Sequence, residues 1–159
     1  MSKKNKIIAL IIVVLIALSG SFIAYKQGHS QNNSNGVVID KNAQKWNKEL
    51  QDTSNDKGIK IPGYGELSVG AGEKNWRITL LNPEGNDCYF KYTITVNNSS
   101  KPLYTSNYIE PGKAIKEFKV KKSLKAGNYT LYMNIATYTM DGKNTRLNGA
   151  SVKADLRVI

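Results

Sequence analysis

"LLNPEGNDCYFKYTITV", Leu80 to Val96, decides the fold class. Its second half alternates: Phe90, Tyr92, Ile94 and Val96 fall on one parity, and Tyr89, Lys91, Thr93 and Thr95 on the other. Strict period-two alternation marks a half-buried strand, because successive side chains leave a strand on opposite faces. "NPEGND" (Asn82–Asp87) supplies the Pro, Gly, Asn and Asp that reverse a chain. Leu80 and Leu81 close an earlier apolar run, "NWRITLL" (Asn75–Leu81). The stretch therefore reads as strand, turn, strand.

The same texture extends in both directions. "GELSV" (Gly65–Val69), "LYTSNYI" (Leu103–Ile109), "AIKEFKV" (Ala114–Val120), "NYTLYMNIATYTM" (Asn128–Met140) and "ASVKADLRVI" (Ala150–Ile159) all read as strands. "EPGK" (Glu110–Lys113), "KAGN" (Lys125–Asn128) and "MDGKN" (Met140–Asn144) punctuate them. About seven short strands without intervening helical patterns predict an all-β, Ig-like antiparallel β-sandwich over residues 59–159. "LKAGNYTLYM" sharpens this expectation, since Leu124, Gly127 and Tyr129 have the spacing of a tyrosine corner. There a tyrosine hydroxyl bonds back to the backbone just upstream.

The region before the strands differs. Lys3, Lys4 and Lys6 precede an uncharged apolar run from Ile7 to Tyr25. This is a membrane-targeting pattern, close to the roughly 20 residues that span a bilayer. Residues 1–27 are expected to form a single-pass signal anchor. The lysine bias places the N-terminus in the cytoplasm and the rest outside. Cleavage after "ALS" (Ala17–Ser19) is the competing reading, and the length of the run favours the anchor. Residues 28–58 form a polar linker. Within it, Ile39, Ala43, Trp46 and Leu50 have helical spacing, so a short helix is expected over Val37–Leu50, capped by Asp40 or Asn42. That helix would lie on the domain or bilayer, or contact a membrane partner through Trp46.

Several chemistries are excluded by composition. His29, in the linker, is the only histidine, so no imidazole serves catalysis in the domain. Cys88 is the only cysteine. With no second thiol an internal disulfide framework is excluded, and with a single histidine in the linker as well no zinc site is expected. An exported domain without disulfides fits a Gram-positive envelope. Cys88 shares the parity of Phe90 and Tyr92, so a buried, structural thiol is expected, with a reactive or crosslinking one as the alternative. Glu84 and Asp87 share a turn and could hold calcium only weakly, since calcium needs six or more oxygens. No phosphate-binding loop is present. No catalytic, cofactor or metal residue is expected.

Two surface features stand out. The chain carries a formal charge of +11, and from Lys57 onward thirteen lysines and three arginines face eight acids. "KEFKVKKSLK" concentrates Lys116, Lys119, Lys121, Lys122 and Lys125. These lysines could protect a solvated edge strand, bind an anionic wall polymer or lipid head groups, or bind nucleic acid. Export of the domain weighs against nucleic acid. Tyr89, Tyr132 and Tyr138 share the outward parity of long strands, and Tyr104 and Tyr108 are candidates to join them. Such a row is either an interaction platform or ordinary cross-strand pairing.

The blocks "IKIPGYGELSV" (Ile59–Val69), "TLLNPEGNDCYFKYTI" (Thr79–Ile94), "YTSNYIEPGKAI" (Tyr104–Ile115), "LKAGNYTLYMNIATY" (Leu124–Tyr138) and "LNGASVKADLRV" (Leu147–Val158) resemble small membrane-anchored proteins of Firmicutes. Those proteins travel with integrative or conjugative elements. The resemblance implies an accessory of conjugation or secretion machinery. Some of them are described as tRNA (uracil-5-)-methyltransferases. That activity needs a reactive cysteine, a base and a methyl-donor fold, and the residues here argue against it. The expected function is a non-catalytic cell-envelope interaction module with a protein partner. The alternative is a wall- or polysaccharide-binding module that uses the tyrosines and lysines.

Overall fold

The computed structural model describes residues 36–47 and 58–159. The expected membrane helix, the start of the linker and residues 48–57 lie outside the described residues. The described part is all-β, in ten strands: β1 (Ala43–Lys45), β2 (Leu67–Val69), β3 (Asn75–Trp76), β4 (Leu80–Asn82), β5 (Cys88–Val96), β6 (Tyr104–Thr105), β7 (Lys113–Ile115), β8 (Phe118–Lys119), β9 (Gly127–Thr139) and β10 (Ala150–Val158). A five-stranded sheet has the order β2-β10-β9-β5-β6. A three-stranded sheet, β1-β7-β4, and a two-stranded ribbon, β3-β8, make up the rest.

The long strands follow from alternation. β9 buries Leu131, Met133 and Ile135 while the residues between them are half-buried. It pairs antiparallel with β5 and β10 along nearly its whole length. Trp76, Ile78, Leu80, Ile115, Phe118 and Val120 from the smaller sheets join these residues in one buried cluster. Tyr129 donates to the carbonyl of Lys125 at 3.0 Å, the backward bond expected at this corner.

The runs Asn75–Leu81 and Ala114–Val120, expected as single strands, are each interrupted. Trp76 pairs with Phe118 and Leu80 with Ile115, so three residues lie opposite two. This is a one-residue β-bulge, which bends the ribbon while keeping Ile78 in the core. These two interruptions turn seven expected strands into nine, and β1, from the segment expected as a helix, is the tenth.

Two further expectations are corrected. The sheet is mixed, because β2 runs parallel to β10 (Leu67↔Leu156 to Val69↔Val158). Most of the chain separates these strands, so no hairpin imposes antiparallel pairing. The helix expected over Val37–Leu50 is absent from its described part. Asp40 Oδ1 accepts from the Asn42 amide at 3.0 Å, and the Asp40 carbonyl accepts from Ala43 at 3.1 Å, making a turn. Asp40 does cap, but it stabilises a turn that competes with helix. The next residues form β1 on the edge of β7 (Ala43↔Ile115).

The turn Asn82–Asp87 is built around a buried asparagine. Asn82 is fully buried, and its amide donates to the carbonyls of Cys88 and Ile109, both at 2.9 Å. Its oxygen accepts from Asn86 at 2.9 Å, and Asn86 in turn bonds both backbone groups of Lys60. Gly85 takes φ +89°, a conformation that glycine adopts without steric cost.

Candidate functional site

The outer face of the five-stranded sheet gathers most of the aromatic residues that the sequence singles out. Tyr138 pairs across strands with Tyr89, and Tyr132 with Thr95. Tyr108, from the segment after β6, packs its ring 5.0 Å from Tyr138 and 5.7 Å from Tyr89. Lys91 Nζ lies 5.5 Å from the Tyr108 ring centre, and Lys153 Nζ lies 5.3 Å from that of Tyr132. The face thus carries its own cations, each seated on a tyrosine ring. Thr93, Asn134 and Ser151 fill the space between, with Ser151 Oγ donating to Asn134 at 2.8 Å.

Tyr89 is not exposed as expected. Its parity is outward, but its relative exposure is 6% because Tyr108 and Tyr138 pack against it. Tyr104 does not join the row either. Its ring stacks on Phe118 at 4.4 Å on the core side. Burial, the Asp40 charge and a hydrogen bond with that carboxylate push its hydroxyl up to about 12. The accessible aromatic set is therefore Tyr108, Tyr132 and Tyr138, all half-buried. Burial, with Tyr138 adding to it, also raises the Tyr108 hydroxyl.

The geometry of the cluster limits its chemistry. The Tyr89 and Tyr108 rings are inclined by 48°, and Tyr108 and Tyr138 by 82°. Rings at these angles make an edged surface, not a flat platform for stacking a planar or pyranose ring.

Lys116, Lys119, Lys121, Lys122 and Lys125 are all exposed. Lys119 follows buried Phe118 on β8 and faces away from the core, opposite Asn75. It lies across the core from the tyrosines. Lys119 and the tyrosine row thus lie on two surfaces. Glu117 lies among these lysines, 3.8 Å from Arg77, an exposed pair of little energetic weight.

Cys88 is free and fully buried. Burial, with the Asp87 charge second, raises its thiol above the usual range, away from thiolate chemistry. Glu84 and Asp87 are exposed, and among the described residues no three potential ligands converge on a metal position. Two features escaped sequence reasoning. One is that Tyr108, expected only as a candidate member of the row, packs on Tyr89 and covers it. The other is buried Asp40, whose Oδ2 accepts from the Asn107 amide at 2.9 Å and ties residues 36–47 to the domain.

These features define an all-β domain with a mixed sheet and an aromatic, cation-capped outer face. Against protein-family models, curated proteins and solved structures, the chain finds no match.

Proposed function

We propose that this protein is a non-catalytic, membrane-anchored interaction module of the cell envelope, and that it binds a protein partner through the outer face of the five-stranded sheet. The observation that carries this reading is the clustering of Tyr108, Tyr132 and Tyr138 with Lys91 and Lys153 on one strand-supported surface. Tyrosines on a rigid sheet offer large amphipathic contact area with little entropy to lose on binding. The strand order, the face-to-face core and the tyrosine corner support an Ig-like β-sandwich as the scaffold. The apolar run Ile7–Tyr25 supports the anchor, with the domain outside the cell. The accessory role beside conjugation or secretion machinery rests on the resemblance of the sequence blocks.

A wall-polymer reading draws on the exposed lysine strip. It is the weaker of the two, because the tyrosines it would recruit lie on another face than Lys119 and their rings are mutually inclined. Site-specific photocrosslinking in cells separates the readings. A photoreactive residue at Tyr132 or Tyr138 of the full chain should yield a discrete protein adduct, and one at Lys119 should not. Adducts from Lys119 alone, together with salt-sensitive pelleting of the protein on purified wall, would overturn the proposal.

A further inference from the structure

β10 is only half covered. β2 pairs with it at Leu156–Val158 and leaves Ala150–Asp155 without a strand on the side away from β9. The parallel ladder continues past these strands, with the Ile159 amide donating to Val69 and the Ala71 amide to Ile159. Odd-numbered residues of β10 therefore turn their backbone groups toward β2, and even-numbered ones toward β9. By the same parity the N–H and C=O groups of Ser151, Lys153 and Asp155 point out of the open edge. Among the described residues none of them meets a partner except the Asp155 carbonyl, which the Leu156↔Leu67 pairing gives to the Leu67 amide. All three residues are exposed.

Open edges are usually blocked by lysine, proline or a bulge. Here Lys153 leans back over the Tyr132 ring on the neighbouring strand and leaves its own edge uncovered. The segment contains no proline. The register between β9 and β10 slips by one between Tyr138↔Arg146 and Ile135↔Ala150, at Gly149, where a Cβ would lie 2.4 Å from the Ile135 carbonyl oxygen. That bulge lies before the edge begins. By contrast, the edge of β7 is closed by the chain's own β1.

We propose that the β10 edge, Ala150–Asp155, binds an extended segment of a partner protein by strand addition. The segment would alternate apolar residues with acidic ones. Apolar side chains would lie beside half-buried Val152, and an acidic one would face Lys153. The excess of base over acid from Lys57 onward makes the acidic partner complementary. A second copy of this chain fits poorly. Antiparallel pairing of two such edges through Ser151, Lys153 and Asp155 sets Lys153 opposite Lys153, and the copies carry the same charge. This inference rests on the reading of the protein as an interaction module and names the shape and chemistry of its partner.

The test uses the full chain in detergent micelles and a synthetic acetylated, amidated peptide, Thr-Val-Glu-Val-Glu-Val-Thr. The peptide should slow amide exchange at Ser151, Lys153 and Asp155. Lys153→Pro removes an N–H that the β9 ladder does not use, a place where an edge strand tolerates proline. It should weaken binding tenfold or more, whereas Lys153→Ala, which keeps that N–H, should weaken it by less. Ser151→Pro, and peptides N-methylated on alternate amides, give the same test should Lys153→Pro fail to fold. No protection at these three amides under millimolar peptide would overturn the inference, as would unchanged affinity of a folded Lys153→Pro. So would concentration-dependent pairing of the protein with itself through this edge. Photocrosslinks from Tyr132 and Tyr138 would still stand if the edge failed, so the two proposals can fail separately.

Discussion

Asparagine and tyrosine occur both inside this domain and on its outer sheet face, and they do different work in the two places. Inside, Asn82 and Asn86 join the turn before β5 to the backbone of Lys60, Cys88 and Ile109. Tyr92, fully buried, donates to the Leu81 carbonyl at 2.6 Å, and Tyr64 reaches the Tyr92 hydroxyl at 3.4 Å. On the outer face, Tyr108, Tyr132 and Tyr138 meet other rings and lysine ammonium groups. The difference teaches that burial with satisfied partners makes polar groups structural, while the same groups on a supported surface stay available to a ligand.

The inner set should break first and hardest. Asn82→Ala takes its donor from the Cys88 carbonyl, one of two donors from the Ile109 carbonyl and an acceptor from Asn86, so it should cost about 2–3 kcal/mol in chemical denaturation, because a buried group left unpaired carries a desolvation penalty. A loss below about 1 kcal/mol would mean that the network is dispensable. Tyr92→Phe leaves the ring in place and removes one of the two tyrosine hydroxyls that reach the Leu81 carbonyl, so about 1–2 kcal/mol is expected. Tyr92 and Tyr64 also set a pH dependence. Burial raises Tyr92 well above the ordinary tyrosine range and Tyr64 to about 12. The unfolded chain would then release these protons near pH 10, before the folded one does. Their stabilisation is therefore complete below about pH 10 and disappears as pH climbs through the folded values. Denaturation midpoints measured upward from pH 9 should fall less steeply in Tyr64→Phe than in the parent.

How far sequence reasoning reached follows the same division. β5, β9 and β10 were legible because their alternation is uninterrupted, and the tyrosine corner because its spacing is local. β1 was not. Ile39, Ala43 and Trp46 satisfy helical spacing, but the deciding bonds run to distant residues: Asp40 to the Asn107 amide, and Trp46 N–H to the Gly112 carbonyl at 2.9 Å. The parallel pairing of β2 with β10 joins the two ends of the domain and leaves no local mark. At the surface, parity placed Tyr132 and Tyr138 on the outward face. It misjudged Tyr89, since parity does not say what covers a face, and Tyr108 comes from another segment.

Cys88 lies between the two regions in expected effect. It is buried at the start of β5, under the turn that Asn82 organises. Cys88→Ala should cost about 1 kcal/mol through a small cavity and leave partner binding intact. Lost crosslinking in a stably folded Cys88→Ala protein would count against a purely structural thiol.

The smallest effect on stability is the most informative about function. Tyr138 is half-buried and stacks edge-on with Tyr108, so Tyr138→Ala gives up a cross-strand aromatic contact worth about 0.5–1 kcal/mol. Tyr132→Ala should be milder, because Tyr132 touches Lys153 and no other ring among the described contacts. If the face is an interaction surface, these two changes should reverse the ranking set by stability. Partner crosslinking should fall more for Tyr138→Ala and Tyr132→Ala than for Tyr92→Phe, although Tyr92→Phe costs more folding energy. A binding loss that merely tracks unfolding would reduce the outer tyrosines to cross-strand packing.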